Sequence, residues 1–409
     1  MPNKRLLILH CFRAPVGGLF RHVMDLARAQ AERGNRVGIL CDATTGGDAA
    51  ERTLTEFASV AELGIHRVPM PREFGFADIQ ATLATRLLAA KLKIDVLHGH
   101  GAKGGAYARG AVATLKPLRQ RIGAFYTPHG GSLHYDRSSL KGKVFLGLEA
   151  SLLSATDGII FESDYSLAAF TAKVKAPGAR GRVVHNGLLA NEFVDQTPVP
   201  DAADFLFIGE LRHLKGVDLL LEALAKISLT RPVTAVIVGA GPDAASFKAR
   251  AAELRLNPAR VRFLGARQAQ DAFPLGRCLV VPSRAESLPY IVLEAAARRI
   301  PQIATNVGGI PEIFGRLSPA LIEPGSAESL TAAMRAALQH PELIANQAAR
   351  LQACVAQRFT VGGMTSAILD FYRERLALAA AGSRTEASSR AEAAQRTAHG
   401  LSQTGMDRA

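Results

Sequence analysis

Much is missing from this 409-residue chain, and each absence removes a class of protein. No apolar run approaches the roughly 20 residues of a membrane-spanning helix. The four cysteines (Cys11, Cys41, Cys278, Cys354) are scattered and form no CxxC pair. That argues against a disulfide scaffold or a cysteine zinc site, and for free thiols in a reducing cytoplasm. The opening MPNKRLLILHCF is basic, but its apolar stretch is short and no small-residue cleavage site follows. It reads as a first strand, not as a signal peptide. There is no HExxH and no P-loop signature, so zinc hydrolysis and P-loop chemistry are unsupported. No GxSxG elbow presents a nucleophilic serine. No two aspartates lie two apart, so no DxD pair can hold a divalent metal on a diphosphate. No RNA-recognition, zinc-finger or helix-turn-helix pattern is evident, and nucleic acid is not an expected partner.

What remains is an ordinary globular composition, 48% apolar and 21% charged, long enough for two domains. The formal net charge is +13. With nucleic acid set aside, a basic surface suits anionic lipid or phosphorylated ligands.

Short β-rich apolar runs alternate with helical patterns. Strands are expected at Arg5–His10, Arg36–Cys41, Ile65–Pro69, Asp95–His98, Ile122–Tyr126, Gly158–Glu162 and Arg182–His185. A second series is expected at Asp204–Ile208, Thr234–Val238, Val261–Leu264, Cys278–Pro282, Gln302–Thr305 and Ala320–Ile322. Such alternation means an α/β protein with parallel sheets covered on both faces. The stretch DQTPVPDAAD has two prolines and no apolar face, and marks a domain boundary. The expected division is 1–195, a linker at 196–203, and a second α/β domain at 204–360. Residues 379–409, rich in Ala, Ser, Arg and Glu, read as a disordered tail. Ligands of such sheets sit at the carboxyl ends of the strands, so the loops after strands are where candidates belong.

Four loops carry candidates. Gly17 and Gly18 lie between a strand and an amphipathic helix, where backbone N–H groups and a helix N-terminus favour an anion. Arg212 and Lys215 sit before the helix that follows the first strand of the second domain. Two cations there oppose the helix dipole, an arrangement better tolerated if a dianion occupies the site. In PSRAESLPYIVLEAAA, Ser287 is the expected N-cap and Pro289 suits the first helical turn. Glu286 then lies in the loop and Glu294 inside the helix, about 12 Å apart if the helix were continuous. That separation suits gripping two parts of one extended ligand. His129, in YTPHGG, stands at a strand end in a loop fixed by Pro and Gly. Alongside each functional reading stands a plainer one: a tight turn, a solvated basic loop, a surface acid, an exposed histidine.

Taken together and in order, these motifs resemble the GT-B glycosyltransferases of family 4, also called glycosyl transferases group 1. The resemblance rests on GGLFRHVMDLARAQAERGNRV, HNG (His185–Gly187), GELRHLKGVDLLLEAL, VGAGP, VRFLG, the E-x7-E pair and NVGGIPEI. It runs from about Leu6 to about Tyr372. It implies two Rossmann-like domains facing each other across a cleft, with a C-terminal helix over 361–378 returning to the N-terminal domain. It also implies a retaining hexosyl transfer from a UDP- or GDP-sugar to a glycan or polyprenyl-diphosphate-linked acceptor, in cell-surface polysaccharide synthesis. By this resemblance Arg212 and Lys215 bind the donor diphosphate, and Glu294 binds the ribose. Glu286 and the backbone N–H groups after it, at Ser287 and Leu288, hold the donor sugar. His129 sits near the reacting centre, and the Gly17 and Gly18 amides cover the phosphates or the acceptor. Neither a metal nor another cofactor is implied. The sequence departs from the family where Glu286-Ser287-Leu288-Pro289 replaces Glu-Gly-Phe-Gly, which leaves the sugar open. Two rivals stay open as well, a GT-B sugar-nucleotide epimerase and a non-catalytic glycan-assembly subunit.

One pattern competes with this reading. DVLHGHGAKGG contains Gly99-x-Gly101-x-x-Gly104, a dinucleotide-binding fingerprint. It follows the fourth expected strand, not the first, and no acid ends the next strand as that fingerprint requires. It is read as a cleft loop, with His100 and Lys103 as acceptor or phosphate contacts. Finally, Lys103, Arg109, Lys116, Arg119, Arg121, Arg137, Lys141 and Lys143 lie beside an apolar helix candidate, Val144–Ala155. Together they suggest peripheral contact with the cytoplasmic face of a membrane.

Overall fold

The computed structural model describes residues 4–73, 75–115, 122–131 and 136–381. Two parallel sheets organise them. The first holds β1 (Leu7–Phe12), β2 (Arg36–Asp42), β3 (Ile65–Val68), β4 (Val96–His100), β5 (Gly123–Thr127), β6 (Gly158–Phe161) and β7 (Gly181–Val183). Their order is β3-β2-β1-β4-β5-β6-β7. The second holds β8 (Ala203–Ile208), β9 (Ala235–Val238), β10 (Val261–Phe263), β11 (Gly276–Val281) and β12 (Gln302–Ala304), in the order β10-β9-β8-β11-β12. The inner strands are apolar almost throughout because helices cover both faces. In β1, Ile8 and Phe12 face one core and Leu9 and Cys11 the other.

Each sheet has one point where the chain reverses its direction of travel, between β1 and β4 and between β8 and β11. Crevices open at such points, beyond the carboxyl ends of the strands. Loops from the two sheets meet there, so the two domains present their binding edges to each other. The thirteenth expected strand, Ala320–Ile322, does not form. Residues Gly315–Ala320 make a 3-10 turn containing Pro319, and only an isolated bridge joins Ile322 to Thr305. The Leu321 N–H closes that turn onto the Ser318 carbonyl, which leaves Ile322 to pair alone.

The chain crosses between domains twice at one place. Leu188 and Thr360 form a bridge, and a Cβ on Gly187 would fall 2.3 Å from the Thr360 backbone. The stretch before β8 is pinned to the second domain, through Gln196 N–H to the Arg298 carbonyl and Val199 N–H to the Pro274 carbonyl. After Thr360 a helix over 361–381 runs back onto the first sheet. Its Met364, Ile368, Phe371 and Tyr372 share a core with Ile8, Val23 and Leu26. This helix is longer than the expected 361–378. Residues 382–409 of the expected tail lie outside the described residues, as do Lys116, Arg119 and Arg121. The helix expected at Val144–Ala155 spans Leu140–Leu152 and ends in a 3-10 turn, Leu153–Ala155.

The HGHGAKGG stretch is not a loop. Gly99 and His100 belong to β4, and the helix Gly101–Leu115 starts at once. Its glycines serve packing. A Cβ on Gly104 would meet the Cys11 carbonyl oxygen at 2.4 Å, and one on Gly105 the Tyr126 ring at 2.2 Å. Gly104→Ala is therefore expected to lower stability in urea denaturation by about 1–3 kcal/mol, the usual cost of overpacking. Gly147→Ala, on an exposed helix with nothing within 4 Å of the new methyl, is expected to raise it by about 0.5–1 kcal/mol.

Candidate active site

The loop after β8 carries the two cations. Gly216 opens the helix Val217–Ser228 in the left-handed region, φ 71°. A side chain there would collide with the Pro282 carbonyl, so the ends of β8 and β11 press together. That contact brings Lys215 onto Glu286, with Nζ 2.6 Å from Oε1. Ser283 donates to the same oxygen at 2.7 Å. Arg212 stays about half exposed, 3.5 Å from Glu210. Beside it Asp218 takes a two-point contact from Arg284, at 2.8 and 2.6 Å. Burial pushes the Asp218 carboxyl up, but the Arg284 contact outweighs it and the net shift is downward.

The Glu286–Leu288 backbone is clasped from behind. Gly309 N–H donates to the Ser287 carbonyl at 2.7 Å. A Cβ on Gly308 would fall 1.8 Å from the Glu286 carbonyl oxygen. Ser287 does not cap the following helix, contrary to expectation. The helix is Tyr290–Ala297, and Pro289 occupies the N-cap position with no side-chain cap. The Ser287 hydroxyl instead crosses to the first domain, bonding to Ser166 Oγ at 2.7 Å and to the Glu162 carboxylate.

Glu162 is a hub. It is fully buried, and burial raises its pKa even though it accepts from Ser287 and from the backbone N–H groups of His129 and Gly130. Those two residues form a turn beside the carboxylate in which both have positive φ, 50° and 76°.

Glu294 faces the other domain. Its carboxylate meets the Arg21 guanidinium, which also grips Glu192 at 2.6 and 2.7 Å and lies 4.7 Å over the Tyr290 ring. His22 joins the same seam, 3.0 Å from Asn186 Oδ1 and 3.3 Å from the Tyr290 hydroxyl. Gly18 lies against the same ring, since a Cβ there would be in ordinary contact with Tyr290 at 3.4 Å. Gly17 has φ 67° with open space around it, at the start of a helix without acids in its first turn. From below, Glu312 accepts from the backbone N–H groups of Asp164 and Tyr165 and bonds His185 at 2.8 Å.

The glycine, basic and acidic loops quoted above thus meet at one seam between two parallel-sheet domains. Two family profiles match the chain, "Glycosyltransferase Family 4" over residues 16–189 and "Glycosyl transferases group 1" over residues 202–340. The chain belongs to the family 4, group 1 glycosyltransferases. A putative teichuronic acid biosynthesis glycosyltransferase, TuaC, of Bacillus subtilis is 28% identical over 59% of this chain and 60% of its own length. A glycogen synthase of Mycobacterium tuberculosis is 28% identical over 80% of this chain and 83% of its own. Among solved structures, Anabaena HepE in complex with UDP and glucose superposes with a TM-score of 0.70 at 20% identity, covering 90% of this chain and 100% of that one. The fold is GT-B.

Within this glycosyltransferase, Arg212, Lys215, Glu286, Ser287 and Leu288 gather at the ends of β8 and β11. Gly17 and Gly18 face them. Glu294 is close by but held by Arg21. His100 and Lys103 are not at the open surface. His100 is buried beneath His129, and Lys103 is buried and paired with Asp78 at 2.7 Å. The seam also uses Arg21, His22, Asn186, Glu162 and Glu312, which the sequence reading did not single out. Four of them sit inside or beside quoted motifs. Glu162 sits in none, and its position at the end of β6 was its only signal.

Five histidines, His10, His22, His98, His100 and His129, cluster beneath the cleft. Two sets of three have ring nitrogens near enough to share a metal, as have Asp164, His185 and Glu312. In the set His10, His98 and His100, however, every ring nitrogen is already engaged, with Gln30, Tyr372, Thr127 or another histidine. Burial lowers the pKa of both His10 and His22 to about 4, and depresses His98, His100 and His129 as well. The unfolded chain, with histidines near 6.5, then binds more protons than the folded one between those values. The stability these groups contribute is complete above about pH 6.5 and is lost as pH falls toward 4. The urea midpoint should accordingly be lower at pH 5 than at pH 7.5. A flat profile would show that the cluster is charged or open to solvent.

Proposed function

We propose that the protein transfers a hexosyl group from a UDP- or GDP-sugar to a glycan or polyprenyl-diphosphate-linked acceptor. The reaction retains the α configuration, uses no metal, and serves cell-surface polysaccharide synthesis such as lipopolysaccharide or exopolysaccharide. The observation that carries this reading is the Lys215–Glu286 pair, with the half-exposed guanidinium of Arg212 three residues before Lys215 in the same loop. A diphosphate entering at the helix N-terminus takes Lys215 from Glu286. The freed carboxylate then accepts from hydroxyls of the sugar. Arg212, Lys215 and the helix dipole stabilise the negative charge that grows on the leaving diphosphate. The acceptor attacks on the face from which that group departs, and a diphosphate oxygen takes its proton. Glu294, released by Arg21, holds the ribose. The UDP and glucose of the Anabaena HepE complex fit a donor of this class.

A second element of the proposal is location, in the cytoplasm and peripheral to the membrane. No helix among the described residues is long and apolar enough to cross a bilayer. Leu140, Val144 and Leu148 form an exposed stripe on one helix, flanked by exposed Lys141 and Lys143. Phe76, Ile79, Leu83 and Leu87 form another on the helix Phe76–Leu92. Apolar stripes edged by lysine suit an anionic lipid surface.

In a thermal-shift screen, one UDP- or GDP-sugar should raise the melting midpoint of the wild type. Arg212→Ala and Glu294→Ala should lose that response, and Arg212→Ala should lower kcat by roughly 10²–10³. Free nucleotide should appear only when an acceptor is present. Epimer formation without acceptor would replace this reading with the epimerase. Sedimentation with anionic liposomes at low salt should fall when Val144 and Leu148 are changed to Ser. Absence of wild-type sedimentation would remove the membrane contact.

A further inference from the structure

Four side chains form an unbroken hydrogen-bonded line from the core of the first domain to the cleft. Gln30 Oε1 lies 2.8 Å from His10 Nε2. His10 Nδ1 lies 3.0 Å from His100 Nε2, and His100 Nδ1 lies 3.1 Å from His129 Nε2. Gln30, His10 and His100 are buried, while His129 is partly exposed at the cleft end. The line follows from sheet register. His10 of β1 pairs with His98 of β4, and His100, two residues on, points to the same face. Strands at this depth ordinarily carry aliphatic residues. Imidazoles in series demand that every buried nitrogen find a partner, so their presence asks for a role.

A neutral imidazole carries one N–H and one lone pair. When neutral imidazoles are joined nitrogen to nitrogen, each bond needs one donor and one acceptor. The group at one end therefore sets the direction of the whole line. The amide oxygen of Gln30 can only accept. His10 then holds its proton on Nε2 and offers the Nδ1 lone pair to His100 Nε2–H. His100 in turn offers Nδ1 to His129 Nε2–H. His129 is left with a lone pair on Nδ1, which takes no hydrogen bond among the described residues.

We propose that Gln30, His10 and His100 are positioning residues that fix His129 as its Nε2–H tautomer, so that Nδ1 presents a lone pair to a hydroxyl of the sugar in the cleft. The ligand group must be a hydrogen donor, and a phosphate oxygen at that point would be turned away. A second branch braces the first. The Tyr372 hydroxyl lies 2.6 Å from His98 Nδ1, and His98 Nε2 lies 2.9 Å from Thr127 Oγ1. The His98 ring sits 3.9 Å from that of His100, so the returning helix holds the line in place.

The proposal rests on the glycosyl-transfer reading only for the identity of the hydroxyl. The deciding measurement needs no substrate. The full chain is labelled with ¹⁵N-histidine, and long-range ¹H–¹⁵N spectra are recorded at pH 7.5, with His129 assigned through His129→Gln. His10, His100 and His129 should each show a protonated Nε2 and an unprotonated Nδ1. Gln30→Glu, which keeps the acceptor, should preserve the pattern. Gln30→Leu should turn it into a mixture of tautomers and lower kcat about tenfold, the order expected when one hydrogen bond to the reacting sugar is weakened. KM for the nucleotide sugar should stay within about twofold, since the change touches only a group beside the sugar. A proton on His129 Nδ1 in the wild type would overturn the proposal. So would an unchanged pattern in Gln30→Leu, or a pattern altered by EDTA, which would mean that a metal joins the rings. If Gln30→Leu does not fold, the wild-type spectrum alone decides. Should the tautomers be as expected while no nucleotide sugar stabilises the protein, the line stands and the transfer reading fails.

Discussion

The most heavily paired tie between the two halves is a guanidinium. Arg21 leaves the first domain, stacks on Tyr290 and meets Glu294 and Glu192, while Asp25 lies 3.3 Å away on its own helix. Burial raises the Asp25 carboxyl to about pKa 6 despite the neighbouring Arg21 charge. Removing one partner of a buried ion pair leaves the others desolvated and uncompensated, which costs more than the pair itself contributes. The seam therefore stays closed as long as Arg21 has its acids, and a ligand that needs Glu294 must offer something in exchange. Lys215 and Glu286 pose the same requirement within the second domain. Both acids expected to hold the donor are already neutralised by cations of the protein. The charges of the site are thus satisfied within the chain itself.

The fold was legible because parallel strands buried on both faces write themselves as apolar runs. Twelve of the thirteen expected strands are present, shifted by at most two residues at their ends. The exception, Ala320–Ile322, is apolar enough but carries Pro319 at its edge. The second-domain loops were legible too, since cations before a helix and acids after a strand are local signals. The errors lie where chemistry depends on a distant neighbour. Ser287 looks like a cap from its own stretch, yet Ser166 and Glu162 claim it from more than 120 residues away. Lys103 looks like a free cation, yet Asp78 reaches it from an adjoining helix. Gly99–Gly104 looks like a phosphate loop because close packing and phosphate approach both demand a residue without a side chain. Only the partner, here the Cys11–Phe12 backbone in place of a ligand, tells the two apart.

Glu162 shows how a site can be built from a residue with no motif. Its carboxylate lies beside the His129 turn in the first domain and meets Ser287 from the second. One buried acid thus joins the turn of a cleft histidine to the loop of the other domain. The Ser287 that stands where the family commonly has glycine supplies that contact, and a glycine could not.

The place where the chain passes between domains has a mechanical meaning. Leu188 and Thr360 cross side by side and are bonded to each other, with no room at Gly187 for even a methyl group. Two tethers that touch define a pivot, whereas two set apart would define a rigid plate. Any turning of one domain against the other would pivot at this point, and sliding would break the bridge. In such a turn the cleft groups farthest from Leu188 would move along the longest arc.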